Sequence, residues 1–451
     1  MRYRSHWLTR VSPPKVLIFG FLAIIFIGSL LLWMPWSHQD GVDVSYMDAL
    51  FTATSATCVT GLVVVDTGTT YSVFGQLVIL VLIQIGGLGF MTFSTLFAIA
   101  IKRKISHQER LLLQEAFNQD TSEGILRLIQ KVVIYAFVIE AVGAILLTMA
   151  WAGELGAVRA FYYGIFHSVS LFNNAGFDLF GQISGPFSGF TSMVHDHFIT
   201  VVAGGLVILG GIGFLVISEL LDYRQRRRVS LHTKVVLYTT GWLILAGMVM
   251  LFIFEFANMR TMGSLSLVDK LHASFFQAVI PRTAGVNTID ISQMVQASQF
   301  LLIMLMFIGA APGSTGGGVK VTSFATMIGA VIAMMRGKEE VTMFHYHIAR
   351  ERVYKAVTVT FVSLTMILLI AMFLSVVEHK QPFLDILFET TSAFATVGLT
   401  LGVTPELSTV GKIIICATMY IGRLGPLTLT YWLTTDRRPV KRYYPEGKII
   451  I

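Results

Sequence analysis

A short stretch recurs four times in this chain, closing each time on a glycine. The clearest copy runs Asp385-Ile-Leu-Phe-Glu-Thr-Thr-Ser-Ala-Phe-Ala-Thr-Val-Gly398. The other three are Asp48-Ala-Leu-Phe51 to Thr60-Gly61, Tyr163-Gly-Ile-Phe166 to Ala175-Gly176, and His272-Ala-Ser-Phe275 to Ala284-Gly285. Every copy carries a phenylalanine ten residues before its glycine: Phe51, Phe166, Phe275 and Phe388. By residue number, successive glycines stand 115, 109 and 113 apart. Even repetition across a whole chain predicts tandem structural units that pack on one another.

What surrounds those units follows from composition. The 451 residues are 54% hydrophobic and 13% charged, against about 25% charged in soluble domains. Such a chain cannot cover itself with a wetted surface, which predicts a polytopic membrane protein and excludes water-soluble enzymes. The net charge of +7 lies between hydrophobic runs, so membrane topology explains it better than nucleic acid does. Two cysteines, Cys58 and Cys416, make neither a disulfide framework nor a metal cluster. The first hydrophobic run lacks a small-residue cleavage site and is expected to be a retained helix.

Each quarter reads as a long apolar helix, the short stretch, then a second long helix. Crossing a bilayer core takes about 20 apolar residues. The expected crossings are Val16 to Trp36 and Gln76 to Ile101, Leu128 to Trp151 and Phe198 to Leu221, Val235 to Phe256 and Phe300 to Met335, and Val357 to Val377 and Ile413 to Leu433. The short stretches cannot cross and are expected to re-enter, which is tolerated only where they are buried or line a cavity. The fold class is therefore all-α integral membrane: four tandem M1–pore-loop–M2 repeats, eight spanning helices and four re-entrant helices around a pseudo-fourfold pore. The units fall at residues 1–104, 105–228, 229–340 and 341–436, with a tail at 437–451. Basic residues cluster in the first tail (Arg2, Arg4, Arg10, Lys15), in the links (Lys102, Arg103, Lys104, Arg110; Arg224, Arg226, Arg227, Arg228, Lys234; Arg336, Lys338, Arg350, Arg352, Lys355) and in the last tail (Arg437, Arg438, Lys441, Arg442). The positive-inside rule puts those segments and both termini in the cytoplasm.

A dehydrated cation needs oxygen dipoles in place of its water shell, and rings of backbone carbonyls supply them. Glycine permits the unusual backbone this requires. The expected selectivity filter is Val59, Thr60 and Gly61; Asn174, Ala175 and Gly176; Thr283, Ala284 and Gly285; Thr396, Val397 and Gly398, with K+ held at their carbonyls. The C-termini of the short helices, partially negative, point toward these turns. The second long helix of each quarter repeats a glycine motif, beginning at Ile85, Leu209, Ile308 and Ile421. Its third copy continues through Ala310, Ala311, Pro312, Gly313, Ser314, Thr315, Gly316, Gly317 and Gly318. Glycine costs about 1 kcal/mol and proline about 3 inside a helix, so this helix is expected to break into a gating loop. A phosphate-loop reading of the same run fails, because Lys320 comes one residue late. Arg423 stands in an apolar helix at the register of Gly87 and Gly211; it is expected to face the pore, or else to pair with Glu219 or Glu389. Arg282 is a candidate partner for Glu389. His167 reads as a packing residue, and His195 and His197 as surface residues.

Four such units, one glycine turn in each, a glycine-rich break in the third M2 and an arginine in the fourth resemble the Trk/Ktr/HKT superfamily of potassium transporters, most of all the bacterial Ktr membrane subunits. The resemblance implies K+ uptake and a homodimer with one pore per protomer. It also implies a cytoplasmic RCK-type regulatory ring, KtrA-like, that binds ATP or ADP, with stimulation by Na+ and no cofactor in this chain. The location implied is the bacterial plasma membrane. Gly61 favours K+, since a serine there accompanies Na+ preference in some plant relatives. A Na+-translocating member of the same fold is the alternative. An alternating-access carrier would show inverted repeats, and no catalytic set recurs, so no enzyme is expected.

Overall fold

The computed structural model describes residues 13–89, 125–338 and 340–425. The tail arginines Arg2, Arg4 and Arg10, the first basic link (Lys102, Arg103, Lys104, Arg110), the distal parts of the first and fourth closing helices and the tail 437–451 lie outside them.

Each quarter opens with a long helix: α1 (Pro13–Trp33), α4 (Ile125–Leu155), α8 (Leu231–Glu255) and α12 (Arg350–Val377). Among the described residues these four are long and apolar enough to cross a membrane. Each is followed by a short helix: α2 (Tyr46–Cys58), α5 (Ala157–Phe172), α9 (Leu267–Val279) and α13 (Phe383–Ala395). The short helices are the core. The repeated phenylalanines Phe51, Phe166 and Phe388 are fully buried, and in the third quarter Phe276 rather than Phe275 takes that place. Ser45 and Ser266 cap α2 and α9 by accepting from the Asp48 and Asp269 amides, the side-chain device that satisfies orphan helix donors.

The third elements are α3 (Val73–Leu88), α6 (His197–Gly211) with α7 (Phe214–Leu221), α10 (Gln296–Phe307) with α11 (Val321–Met335), and α14 (Thr409–Leu424). These differ from the straight crossings expected. The run Phe198–Leu221 is two helices at 102° to one another, and in the first quarter α3 ends at Leu88, with residues 90–101 of the expected crossing outside the described residues. The cause is the last glycine of each motif. Gly89, Gly213 and Gly425 have φ of 85°, 91° and 81°, outside the helical region. In the third quarter the break widens to residues 308–320, as its composition predicts. A hairpin, β1 (Val341–Met343) paired antiparallel with β2 (Tyr346–Ile348), joins α11 to α12.

In the first, third and fourth quarters the region after the first helix is tied to the start of the third element. Ser72 N–H donates to the Ser37 carbonyl at 2.9 Å. A Glu255 carboxylate oxygen accepts from Val295 N at 2.9 Å, and Glu378 accepts from Ser408 N at 2.9 Å. Between quarters, each third element packs on the next short helix: α3 on α5, α6 on α9, α10 on α13 and α14 back on α2. The chain thus closes on itself. Lys412 of α14 and Asp48 of α2, 364 residues apart, bond at 2.6 Å across that seam.

Candidate functional site: a ring of four glycine turns

The packing brings the four glycines together. A Cβ built on Gly61 would lie under 3.0 Å from the Ala175 carbonyl oxygen, one on Gly176 from that of Ala284, one on Gly285 from that of Val397, and one on Gly398 from that of Thr60. Each glycine is thus pressed against the carbonyl preceding the next glycine, and the series returns to its start. No side chain fits at any of the four positions.

The backbone has one conformation in all four turns. Two residues before each glycine, Val59, Asn174, Thr283 and Thr396 have φ of 58°, 60°, 80° and 53°. The glycines themselves have φ of 90°, 70°, 68° and 91°. A β-branched residue with positive φ is costly, so this strain is held by the surroundings. Ser55 and Ser392, six before the glycine, do that holding. Their carbonyls accept from Thr60 and Val397 at 2.8 Å, and their hydroxyls accept from Gly61 and Gly398 at 3.0 and 3.1 Å. Ser170 uses its carbonyl for Ala175 and its hydroxyl for the Phe177 carbonyl. The third quarter has Val279 there and Pro281 at the helix end. Proline supplies no N–H, so α9 stops early and Ala284 N bonds to Ile280 instead. The serines were missed in the sequence, although their recurrence at one register was readable.

Behind the ring, the first glycine of each motif admits close approach. Cβ atoms on Gly86, Gly210 and Gly422 would collide with the Thr57, Phe172 and Phe394 carbonyls at the ends of α2, α5 and α13. On Gly309 the collision is with Gly317, in the chain's own loop.

The 308–320 loop lies across this face. Ala311 N donates to the Gly211 carbonyl at 2.9 Å, and Gly317 N donates to the Thr396 hydroxyl at 3.1 Å. A Cβ on Gly316 would strike Thr283. The loop therefore reaches from the second quarter to the fourth, against the residues two before the glycines. It also shapes α7, whose first residue Phe214 donates to the Gly313 carbonyl at 2.9 Å. Lys320 Nζ donates back to Gly316 at 2.7 Å.

Arg423 pairs with neither acid named for it. It donates to the Thr315 carbonyl in the loop and to the Gly86 carbonyl in α3. Glu219 instead accepts from Ser230 and Thr233. The Arg282–Glu389 pairing is also wrong: Glu389 is buried under the hydroxyls of Thr400, at 2.7 Å, and Thr404. Arg282 Nη2 has no partner among the described residues. His167 packs between Trp151, Phe180 and Phe190 as expected. His195 and His197 are more than surface groups, since both bond to Asp269, at 3.1 and 2.7 Å. A buried carboxylate that sequence reasoning passed over, Glu140 of α4, accepts from Gln84 at 3.0 Å and Asn173 at 2.9 Å. It ties three elements together behind the second turn.

Apolar helices of spanning length, repeated in four quarters that meet at one ring, define a multi-pass helical membrane protein. Residues 13–437 match the model of the TrkH family, described as a cation transport protein, and the chain belongs to that family. It is 44% identical to the Ktr system potassium uptake protein B of Bacillus subtilis, over 98% of this chain and 97% of that one. It is 40% identical to the protein of the same name from Vibrio alginolyticus, over 97% and 95%. The potassium/sodium uptake protein NtpJ of Enterococcus hirae is 38% identical, over 98% of each chain. A crystal structure of the potassium transporter TrkH from Vibrio parahaemolyticus shares the fold. Its TM-score is 0.74 at 18% identity, covering 96% of this chain and 87% of that one.

Proposed function

We propose that the chain carries K+ into the cell through the glycine ring. The observation that supports this best is the closed series of contacts among Gly61, Gly176, Gly285 and Gly398, each turn alternating in the sign of φ. Such backbone offers successive carbonyls to one axis, and K+ sheds its water against the carbonyls of the residues before and at each glycine. The Bacillus and Vibrio alginolyticus relatives, named for potassium uptake, support K+ as cargo. Entry of one positive charge down 100 mV gains about 2.3 kcal/mol, so the chain needs no ATP hydrolysis of its own.

On this reading residues 310–318 form a gate, latched by Arg423. The Ktr resemblance supports a homodimer in the bacterial plasma membrane with cytoplasmic termini. It likewise supports a nucleotide-binding RCK-type ring as regulator and stimulation by Na+. A Na+-translocating reading draws on the name of the Enterococcus relative, but Gly61 favours K+. Gly61→Ser in a host lacking its own K+ uptake tests the ring: the K+ over Na+ preference should fall. An unchanged preference in a folded variant removes the ring from the ion's route.

A further inference from the structure

Beyond the ring the chain is partly exposed at the same register in every quarter, although in the third Gly285 is already so. The residue after each glycine (Leu62, Phe177, Val286, Leu399) is buried, and the next (Val63, Asp178, Asn287, Thr400) is half exposed. These four form a rim on the side of the ring away from the 308–320 loop, since the loop lies against residues two before the glycines. Three of the four are neutral. The Thr400 hydroxyl is spent on Glu389 at 2.7 Å, the Asn287 amide on the Ile289 carbonyl at 2.8 Å, and Val63 is apolar.

Asp178 is the acidic member; burial, and then the neighbouring Asp66, push its carboxyl up to about 7, so the negative charge it offers is complete only above that pH. One of its oxygens accepts from the Phe180 N–H at 3.0 Å. Among the described residues no lysine, arginine or histidine pairs with it. Asp66, its nearest counterpart in the first quarter, is different. Both of its oxygens are used, on the Thr69 N–H and hydroxyl at 2.8 Å and on the Phe187 N–H at 2.9 Å, and it is buried. Asp66 therefore holds loops together, whereas Asp178 has an uncommitted oxygen at an entrance.

We infer that Asp178 is the cation-recruiting residue of the outer rim: its free carboxylate oxygen concentrates monovalent cations at the uncovered entrance to the ring and so sets the apparent affinity for uptake. A single-sign charge at a narrow mouth raises the local cation concentration and the capture rate. The inference rests on the ring being the ion's route.

The test is K+ uptake by the full-length protein in a host without other K+ uptake, measured at about pH 8, where the Asp178 carboxyl is ionised, against external K+ at low and high ionic strength. Asp178→Asn should raise KM about tenfold, within the range that electrostatic focusing spans, and flatten its dependence on salt. Vmax should move less than about twofold, because chemistry at the ring itself is untouched. Asp178→Glu should behave like the native chain. Val63→Asp, which moves a carboxylate to the adjacent quarter's rim, should restore KM in the Asp178→Asn background and lower it in the native one. A merely structural aspartate would not be replaced that way. Unchanged KM and salt dependence in Asp178→Asn overturn the inference. Should that variant fail to reach the membrane, an unchanged KM in Val63→Asp alone overturns it. If Gly61→Ser shifts K+ over Na+ preference while Asp178→Asn does nothing, the rim assignment fails and the ring reading stands. If Gly61→Ser also does nothing, the ring reading itself falls.

Discussion

Glycine does two separate jobs here, and space rather than composition tells them apart. Gly210 has the Phe172 carbonyl where its Cβ would be, whereas Gly241 in α8 has nothing within 4 Å. Gly210→Ala should cost about 1–3 kcal/mol, the usual toll of overpacking, and lower the melting temperature of the detergent-solubilised protein. Gly241→Ala should raise it, because alanine is the better helix former by about 1 kcal/mol. Equal effects would mean that the close approach is not real. Asp269 shows the same locality in charge. Hydrogen bonds from Ser266 and His197, then His195, hold its carboxyl at about 2, below the ordinary carboxylate value. A depressed carboxyl stabilises the fold above its unfolded value and loses that contribution as pH falls through the folded one. The melting difference between the native chain and Asp269→Asn should therefore be full above about pH 5 and gone near pH 2. A difference that persists at pH 2 would assign Asp269 a role independent of charge.

Elements explain how much could be read in advance. The short helices and their glycines were legible because burial and backbone φ act on local sequence: Phe51, Phe166 and Phe388 mark the core, and the glycine marks the strained turn. The bend at Gly213 was not, because a glycine between apolar residues also fits a straight membrane helix. What decides it is the Gly313 carbonyl, donated to by Phe214 from a loop a hundred residues on. The alternative of an acid partner for Arg423 failed for a similar reason: carbonyls satisfy a guanidinium as well as acids do, and sequence shows only the acids. Its two acceptors, Thr315 and Gly86, clip the 308–320 loop to α3. Removing that clip by Arg423→Ala, or deleting residues 314–317, should raise K+ flux measured without any regulatory partner. Flux that stays low in a folded protein would leave the loop a fixed plug rather than a gate.

At the scale of the molecule, stability depends on closure. Three of the contacts between short helices and third elements join neighbours in sequence, and the fourth, α14 on α2, joins the two ends. Lys412 and Asp48 sit on that seam, each side chain 18% exposed. Partly buried pairs in direct contact couple by about 0.5–3 kcal/mol. A double-mutant cycle of Lys412→Met and Asp48→Asn should return a coupling in that range, and additive losses would show the pair to be ornamental. The seam also has a consequence for synthesis. Asp48 is made early and must wait 364 residues for its partner. While the ribosome is still at work, the Thr60 carbonyl of the first turn has no Gly398 against it. Interrupted translation therefore leaves an open arc in the bilayer, never a finished annulus, and only a completed polypeptide can hold the geometry on which ion passage depends.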